Sequence, residues 1–186
     1  MIIKNNKERL RRVCEPVSNI LEGEDIAIKL FNELGDKGIG LAANQIGINK
    51  RVCIINVKEP ITFINPEITK LDGEVIVPES CLSFPKKVVN TKRAQWVTVE
   101  SDNHGTVVLG SDSDDENLLE GVCAQHEIDH LDGITMYERK FIRKPIKRMT
   151  KKIGRNEKVT IEKDGKEKIV KWKKAQSFFS DGWTLL

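Results

Sequence analysis

Sequence features that mark membrane proteins and disulfide-stabilised secreted proteins are missing from this chain. No stretch approaches the ~20 apolar residues of a membrane-spanning helix, so no membrane contact is expected. Residues 1–12 contain no apolar run followed by a small-residue cleavage site, which argues against a secretory signal. The four cysteines include no CxxC pair. We therefore expect reduced thiols and a cytoplasmic protein.

The net charge of +3 conceals an uneven distribution along the chain. Residues 140–174 contain 15 lysines and arginines against four acidic residues, whereas the rest of the chain contains 16 against 24. A basic tail on an acidic body indicates an electrostatic partner such as nucleic acid. A solvated charged surface is the simpler alternative. We expect residues 1–140 to form one domain and residues 141–186 a basic C-terminal extension.

Helix and strand patterns predict an α+β fold. Apolar residues recur at helical spacing over 24–34 and 117–131, with Gly133 as the C-cap of the second helix. The predicted short strands cover 51–57, 61–64, 74–77, 87–89, 96–100 and 106–109. Asp164-Gly165, between β-branched runs, predicts a β-hairpin in the basic extension. We therefore expect short antiparallel sheets packed around the second helix.

Histidine is scarce, with three in the whole chain, and two of them lie in the second predicted helix. His126 and His130 are four residues apart and therefore share one helix face, where both can bind one metal ion. Glu127 follows the first histidine, so a carboxylate can lie near the metal without coordinating it. This H-E-x-x-H pattern is typical of metal-assisted hydrolysis. An amphipathic helix with surface histidines would show the same spacing.

The source of a third metal ligand is less obvious from the sequence. No histidine lies downstream of the motif, and Glu138 is too close to His130 to serve as the zincin-type ligand. His104 lies in a predicted hairpin turn. Cys81 lies in a segment bounded by prolines that can present a thiolate to a cleft, although free cysteines are more often small buried hydrophobes. We expect that simpler role for Cys14 and Cys53, and a place in the wall of the cleft for Cys123.

Three segments together resemble peptide deformylase. Gly38 to Gln45 (GIGLAANQ) is similar to the first family motif, 79–83 (ESCLS) to the second and 125–130 (QHEIDH) to the third, in the family's order and spacing. The opening Arg9-Leu-Arg11 and Pro16-Val17 are also similar. The resemblance extends over about residues 1–140. A G-x-G-x-x-A dinucleotide motif is an alternative interpretation of 38–43, but a predicted helix precedes that segment where a strand is required.

The resemblance implies a function and a role for each matching residue. Peptide deformylases remove formyl from N-formylmethionyl peptides and release formate. Cys81, His126 and His130 would hold one divalent metal, commonly iron(II), with zinc, nickel or cobalt as alternatives. Water on the metal would attack the formyl carbon, with Glu127 as general base and acid. The oxyanion would be stabilised by the side-chain amide of Gln45 and the backbone N–H of Leu82. The backbone near Gly40 would line the family's peptide groove. Ile39, Leu82 and Cys123 would line its pocket for the methionine side chain. Arg93 would be the partner of Glu79.

The chain departs from the family at two places. Ser80 replaces the glycine of the second motif. If the backbone there has a positive φ, serine is strained, and its side chain could also narrow the substrate groove. The basic extension differs from the C-terminal helix or short strand of familiar bacterial members of the family. It could contact ribosomal RNA through residues 140–174. Two other functions share the H-E-x-x-H helix: a zincin-like peptidase, and a nucleic-acid-binding protein on an inactive deformylase fold.

Overall fold

The computed structural model describes residues 1–142 and 153–186. The chain divides into two compact units, Met1–Ile142 and Arg143–Leu186. Among the helices of the described residues, none is long and apolar enough to cross a membrane. The predicted basic segment 140–174 lies partly outside the described residues, which omit 143–152.

Unit 1 combines helices with small antiparallel sheets, as the sequence predicted. Its helices are α1 (Lys7–Leu10), α2 (Ile20–Leu34) and α3 (Asp115–Leu131), with a 3₁₀ turn at Ala43–Ile46. Its strands are β1 (Gly40–Ala42), β2 (Val52–Asn56), β3 (Pro60–Ile64), β4 (Glu67–Asp72), β5 (Val75–Cys81), β6 (Phe84–Arg93), β7 (Trp96–Ser101) and β8 (Gly105–Gly110). The strands pair in the orders β1-β2-β3, β4-β7-β8 and β5-β6. The α+β prediction is confirmed, whereas α1, β1, β4 and the 3₁₀ turn were not predicted.

Helix α3 passes through the centre of unit 1. Its N-cap Asp114 accepts a hydrogen bond from the backbone N–H of Asn117, and Asp115 and Glu116 place negative charge where the helix dipole favours it. Every residue from Glu120 to Leu131 is buried, and the helix packs against β1, β2 and β8. The C-cap is Asp132 rather than the predicted Gly133, which comes directly after it in the left-handed conformation, at φ +71°. The helix begins two residues before the predicted start.

Helix α2 also begins earlier than its apolar spacing predicted. The side chain of Asn19 caps it by accepting a hydrogen bond from Glu22 N at 2.9 Å, so the helix starts at Ile20 rather than Glu24. Its buried face, which includes Ile26, Leu30 and Leu34, packs on β1, β2 and β3. This packing holds the glycine-containing segment after the helix against the sheet.

The β5-β6 hairpin is longer than the two flanking strands predicted on either side of Pro78 to Pro85. Pro78 lies within β5, which pairs with β6 alone in the described residues, so its missing N–H leaves no central ladder interrupted. The register shifts between Ser80, opposite Val88, and Cys81, opposite Phe84. Ser80 does not have a positive φ, so the strain considered for this position is absent. The shift turns Cys81 inward, where it is 7 % exposed.

Unit 2 contains β9 (Lys158–Lys163), β10 (Lys166–Lys171), α4 (Trp172–Phe179) and β11 (Thr184–Leu185). Asp164 and Gly165 both have positive φ, 52° and 75°, as a tight turn between β9 and β10 requires. Strand β11 pairs with the other edge of β9. Ile161 is the fully buried residue of this small sheet. The sequence did not predict α4 or β11.

Candidate functional site

Three side chains converge between β5 and α3. Cys81, His126 and His130 each offer one ligand atom, and these atoms all lie within 4.8 Å of one another. The sulfur of Cys81 lies 3.3 Å from Nε2 of His130. All three residues are buried. The structure therefore brings together the three residues that the sequence proposed as ligands, although Cys81 is separated from the histidines by more than forty positions.

Glu79 fixes the orientation of His126. Its Oε2 lies 2.5 Å from Nδ1 of His126, which leaves Nε2 as the ring nitrogen that can face a metal. Arg93 donates to Glu79 from Nε at 2.6 Å and from Nη2 at 3.0 Å, and the hydroxyl of Thr91 also donates to this carboxylate. The pairing of Arg93 with Glu79 is the one that the family resemblance implied.

Burial and hydrogen bonding act in opposite directions on the charges of this cluster. Burial would raise the pKa of Glu79, but hydrogen bonds from His126 and Arg93 lower it well below the usual value. Burial would likewise lower the pKa of His126, whereas the neighbouring Cys81 and Glu79 side chains raise it. The pKa of His130 is lowered by burial. Coordination through Nε2 of His126 requires that this nitrogen carry no proton, so metal binding is linked to pH.

Glu127 lies beside the three donors but is not one of them. Burial raises the pKa of this carboxyl to about 7. Within residues 1–142 and 153–186, its buried Oε2 has no hydrogen-bond partner. A Cβ added to Gly40 would lie 2.6 Å from Oε1 of Glu127 and 2.6 Å from the sulfur of Cys123. Because residue 40 is glycine, the backbone of β1 can lie close to the carboxyl group of Glu127, which is suited to exchanging protons near neutral pH.

Gln45 is held with its amide nitrogen directed toward Cys81. It lies on the 3₁₀ turn after β1, where its Oε1 accepts a hydrogen bond from Ala42 N at 2.8 Å. Its Nε2 donates to the Ser83 hydroxyl at 3.1 Å and lies 3.6 Å from the sulfur of Cys81. Ser83 is fully buried and was missed as a site residue. Its place in the ESCLS segment was the available signal.

A cavity of about 820 Å³ opens onto this cluster. The predicted site residues on its wall are Ile39, Gly40, Gln45, Cys81, Leu82, Cys123, His126 and Glu127, whereas His130 lies deeper, 1 % exposed. Leu118, Leu119 and Val122 also line it, although the sequence had assigned them to the apolar stripe of the helix. His104 lies elsewhere, with its ring edge against Phe63 at a centroid distance of 6.1 Å.

The chemistry of the donors fits a divalent transition metal. One thiolate and two imidazoles form a set that zinc, iron and related ions accept. A catalytic site of this kind has three protein ligands and keeps a further position for water or substrate. The unpartnered carboxylate oxygen of Glu127 beside the donors is suited to accept a proton from such a water. The cluster is therefore suited to metal-assisted hydrolysis.

Comparisons with known proteins agree with this chemistry. A family model described as polypeptide deformylase matches residues 1–149. The peptide deformylase of Pseudoalteromonas translucida is 34% identical over 162 residues, which are 81% of this chain and 95% of that protein. The peptide deformylase of Heliobacterium modesticaldum is 38% identical over 145 residues, or 74% of this chain and 91% of that protein.

Solved structures give the same result. The fold is similar to the crystal structure of peptide deformylase from Plasmodium falciparum, with a TM-score of 0.67 and 28% identity, over 76% of this chain and 86% of that chain. A peptide deformylase from Legionella pneumophila superimposes with a TM-score of 0.66 at 33% identity, over 80% of this chain and 88% of that one.

Proposed function

The chain belongs to the polypeptide deformylase family, whose members are metal-dependent enzymes that remove the N-formyl group of nascent polypeptides, and we propose that Cys81, His126 and His130 hold its metal ion. The observation that carries this proposal is the approach of one sulfur and two imidazole rings to within 4.8 Å of one another. When bound, the divalent ion supplies Lewis-acid chemistry that makes water acidic near neutral pH.

Glu127 is the proposed general base and general acid. Its carboxylate would take a proton from the attacking water and return it to the amine that leaves as formate is released. Burial, which raises its pKa to about 7, supports both roles because each protonation state is then accessible near neutral pH. Its unpartnered Oε2 supports the same assignment.

Gln45 and the backbone N–H of Leu82 are the proposed donors to the oxygen that becomes negative as the formyl carbon turns tetrahedral. Fixed donors stabilise that charge because they need no reorganisation during the reaction. The hydrogen bonds that Gln45 makes to Ala42 and Ser83 support this role, since they hold its amide group in one orientation.

The cavity supports a binding site for the methionyl end of the substrate. We propose that Ile39, Leu82 and Cys123 contact the methionine side chain and that the backbone at Gly40 lines the peptide groove. All four residues line the same cavity, which supports this assignment. Apolar walls with a few oriented polar groups are typical of small-ligand sites.

Metal identity is a separate proposal. The family resemblance favours iron(II), and the mixed sulfur and nitrogen donors suit iron(II), zinc, nickel and cobalt. The test measures formate release from formyl-Met-Ala-Ser and the metal content of the same anaerobically prepared sample. Cys81→Ala should lose both metal and activity, whereas Cys14→Ala, at a buried thiol outside the donor set, should keep both. Cleavage of internal peptide bonds without formate release would contradict the proposal and indicate a peptidase.

We propose that residues 1–140 are the catalytic domain and that the extension 141–186 contacts ribosomal RNA through basic residues 140–174, in the cytoplasm where formylated chains are made. Six of the 15 basic residues lie in 143–152, without an acidic neighbour in that stretch. Replacing these six by glutamine should weaken a salt-sensitive association of the full chain with ribosomes, since phosphate contacts release counterions. Replacing six exposed lysines of unit 1 is the matched control, and an equal effect of both sets would contradict the proposal.

A further inference from the structure

Asp129 forms a buried ion-pair network that the assigned site residues do not include. It is 3 % exposed and lies between Ile128 and His130 on α3. Its Oδ2 accepts from Nη1 of Arg93 at 2.5 Å and from Nε of Arg139 at 2.9 Å, and its Oδ1 accepts from Nη2 of Arg139 at 2.6 Å. Both carboxylate oxygens are therefore bound to guanidinium groups of fixed planar geometry.

Arg93 connects this network to the proposed metal site. Its Nε and Nη2 donate to Glu79 while its Nη1 donates to Asp129, so one rigid guanidinium plane is held between two carboxylates. Glu79 in turn contacts Nδ1 of His126. The hydrogen bonds therefore run without a break from Arg139 through Asp129, Arg93 and Glu79 to the ring of His126.

The backbone fixes the position of Arg139 as well. Lys92 N donates to Arg139 O at 3.0 Å, and Phe141 N donates to Asn90 O at 2.7 Å. The segment around Arg139 thereby pairs with β6, directly beside Arg93. Arg139 is half-exposed but anchored at both its backbone and its guanidinium, so its orientation is set by the fold.

We propose that Asp129 and Arg139 are positioning residues for the metal site, which act through Arg93 and Glu79 on the orientation of His126. The inference rests on the proposed function, because it concerns the same three metal ligands. Without Asp129, Nη1 of Arg93 would lose its acceptor and the guanidinium plane would be free to tilt. Glu79 and the His126 ring would then follow, since outer hydrogen bonds orient metal-ligating histidines.

Two substitutions separate positioning from a simple charge effect. Asp129→Asn removes a negative charge near the metal and Arg139→Ala removes a positive one, so Coulomb's law alone predicts that they change cation affinity in opposite directions. Positioning predicts that both weaken binding. Arg11→Ala is the matched control, because Arg11 pairs with Glu138, next to Arg139 in sequence, whereas the ion pairs of Asp129 among the described residues are with Arg93 and Arg139.

The experiment uses the full chain with cobalt(II) as the probe metal. Metal affinity is measured by competition with a chelator, and the visible absorption of bound cobalt(II) reports the geometry of its ligands. Thermal unfolding of the metal-free proteins identifies a variant that fails to fold. We expect both variants to bind metal about tenfold more weakly. We also expect a changed cobalt(II) spectrum, with Arg11→Ala like the parent.

Parent-like affinity and spectrum in Arg139→Ala, tighter binding in that variant, or an equal loss in Arg11→Ala would each overturn the inference. If Asp129→Asn does not fold, Arg139→Ala decides alone, because its side chain is half-exposed and its removal leaves no cavity in the core. A Cys81→Ala protein that kept its metal would instead refute the proposed ligand set, so failure of the proposed function can be distinguished from failure of the inference.

Discussion

Glu79 Oε2 lies 2.5 Å from Nδ1 of His126, so a strand carboxylate determines which nitrogen of a helix histidine faces the metal site. The two residues belong to different sequence motifs and to elements that meet only in the folded chain. The orientation of the carboxylate is itself fixed, because Arg93 and Thr91 also donate hydrogen bonds to it. Removing its charge should therefore disturb the metal site directly.

Glu79→Gln is expected to weaken metal binding about 10- to 100-fold, the usual effect of losing a carboxylate partner of a ligating histidine. The amide retains the size of the side chain but removes one of the two carboxylates that Arg93 pairs with, and Asp129 remains. The measurement is chelator competition on the full chain. Glu74→Gln provides the control, since Glu74 is an exposed partner of Lys92 on the same hairpin. Equal affinities in parent and Glu79→Gln would show that this contact does not tune the site.

Gly40→Ala should reduce both turnover and stability. The added methyl would lie 2.6 Å from the sulfur of Cys123 and from Oε1 of Glu127, closer than packed atoms allow. We expect a loss of about 1–3 kcal/mol in the free energy of unfolding, as for other overpacked sites. Gly38→Ala is the graded comparison, because its methyl would approach the flexible Leu82 side chain at 3.2 Å. Urea unfolding and formate release measure the two effects, and similar results for both variants would contradict this account.

The sequence predicted those parts of the site whose geometry is local. Helical periodicity alone places His126 and His130 on one face, and it needs no knowledge of the rest of the fold. The position of Cys81 beside them depends on a register shift in β5 and on the packing of that hairpin near α3. Periodicity carries no information about either, so spacing alone leaves Cys81 a candidate ligand, and its assignment depends on the family resemblance.

The features that the sequence did not predict also depend on contacts outside the local pattern. Strand β4 has exposed residues at most of its positions, so it lacks the alternation that marks a half-buried strand. The sequence predicted too late a start for α2, because Ile20 and Leu21 in its first turn are exposed and do not extend the buried apolar stripe, and because its start depends on the Asn19 cap. Arg139 and Asp129 are ten residues apart, and their pairing depends on a chain segment that folds back onto β6. Tertiary contacts of this kind leave no periodic trace in a single sequence.

Ser80→Gly should not relieve backbone strain, because Ser80 has no positive φ and lies within β5. Glycine inside a strand instead costs roughly 0.5–1 kcal/mol of unfolding free energy. Since Ser80 lines the cavity, we expect its removal to change kcat/KM for formylated peptides that differ after the methionine. Turnover of several such peptides is the measurement. Unchanged values for all of them would show that this serine does not influence the groove.

Gln45→Leu is expected to lower kcat by about 10²–10³, the typical cost of losing one donor to an oxyanion. Leucine has a similar size but can neither donate nor accept a hydrogen bond, so Ser83 and the backbone N–H of Ala42 each lose a partner. The backbone hydrogen bonds of the 3₁₀ turn are kept. Because Nε2 of Gln45 also lies 3.6 Å from the sulfur of Cys81, metal content must be measured on the same sample. A fall in kcat with full metal content would identify a role in the reaction itself. A proportional loss of metal would instead assign Gln45 to holding Cys81, and unchanged kcat would remove it from the mechanism.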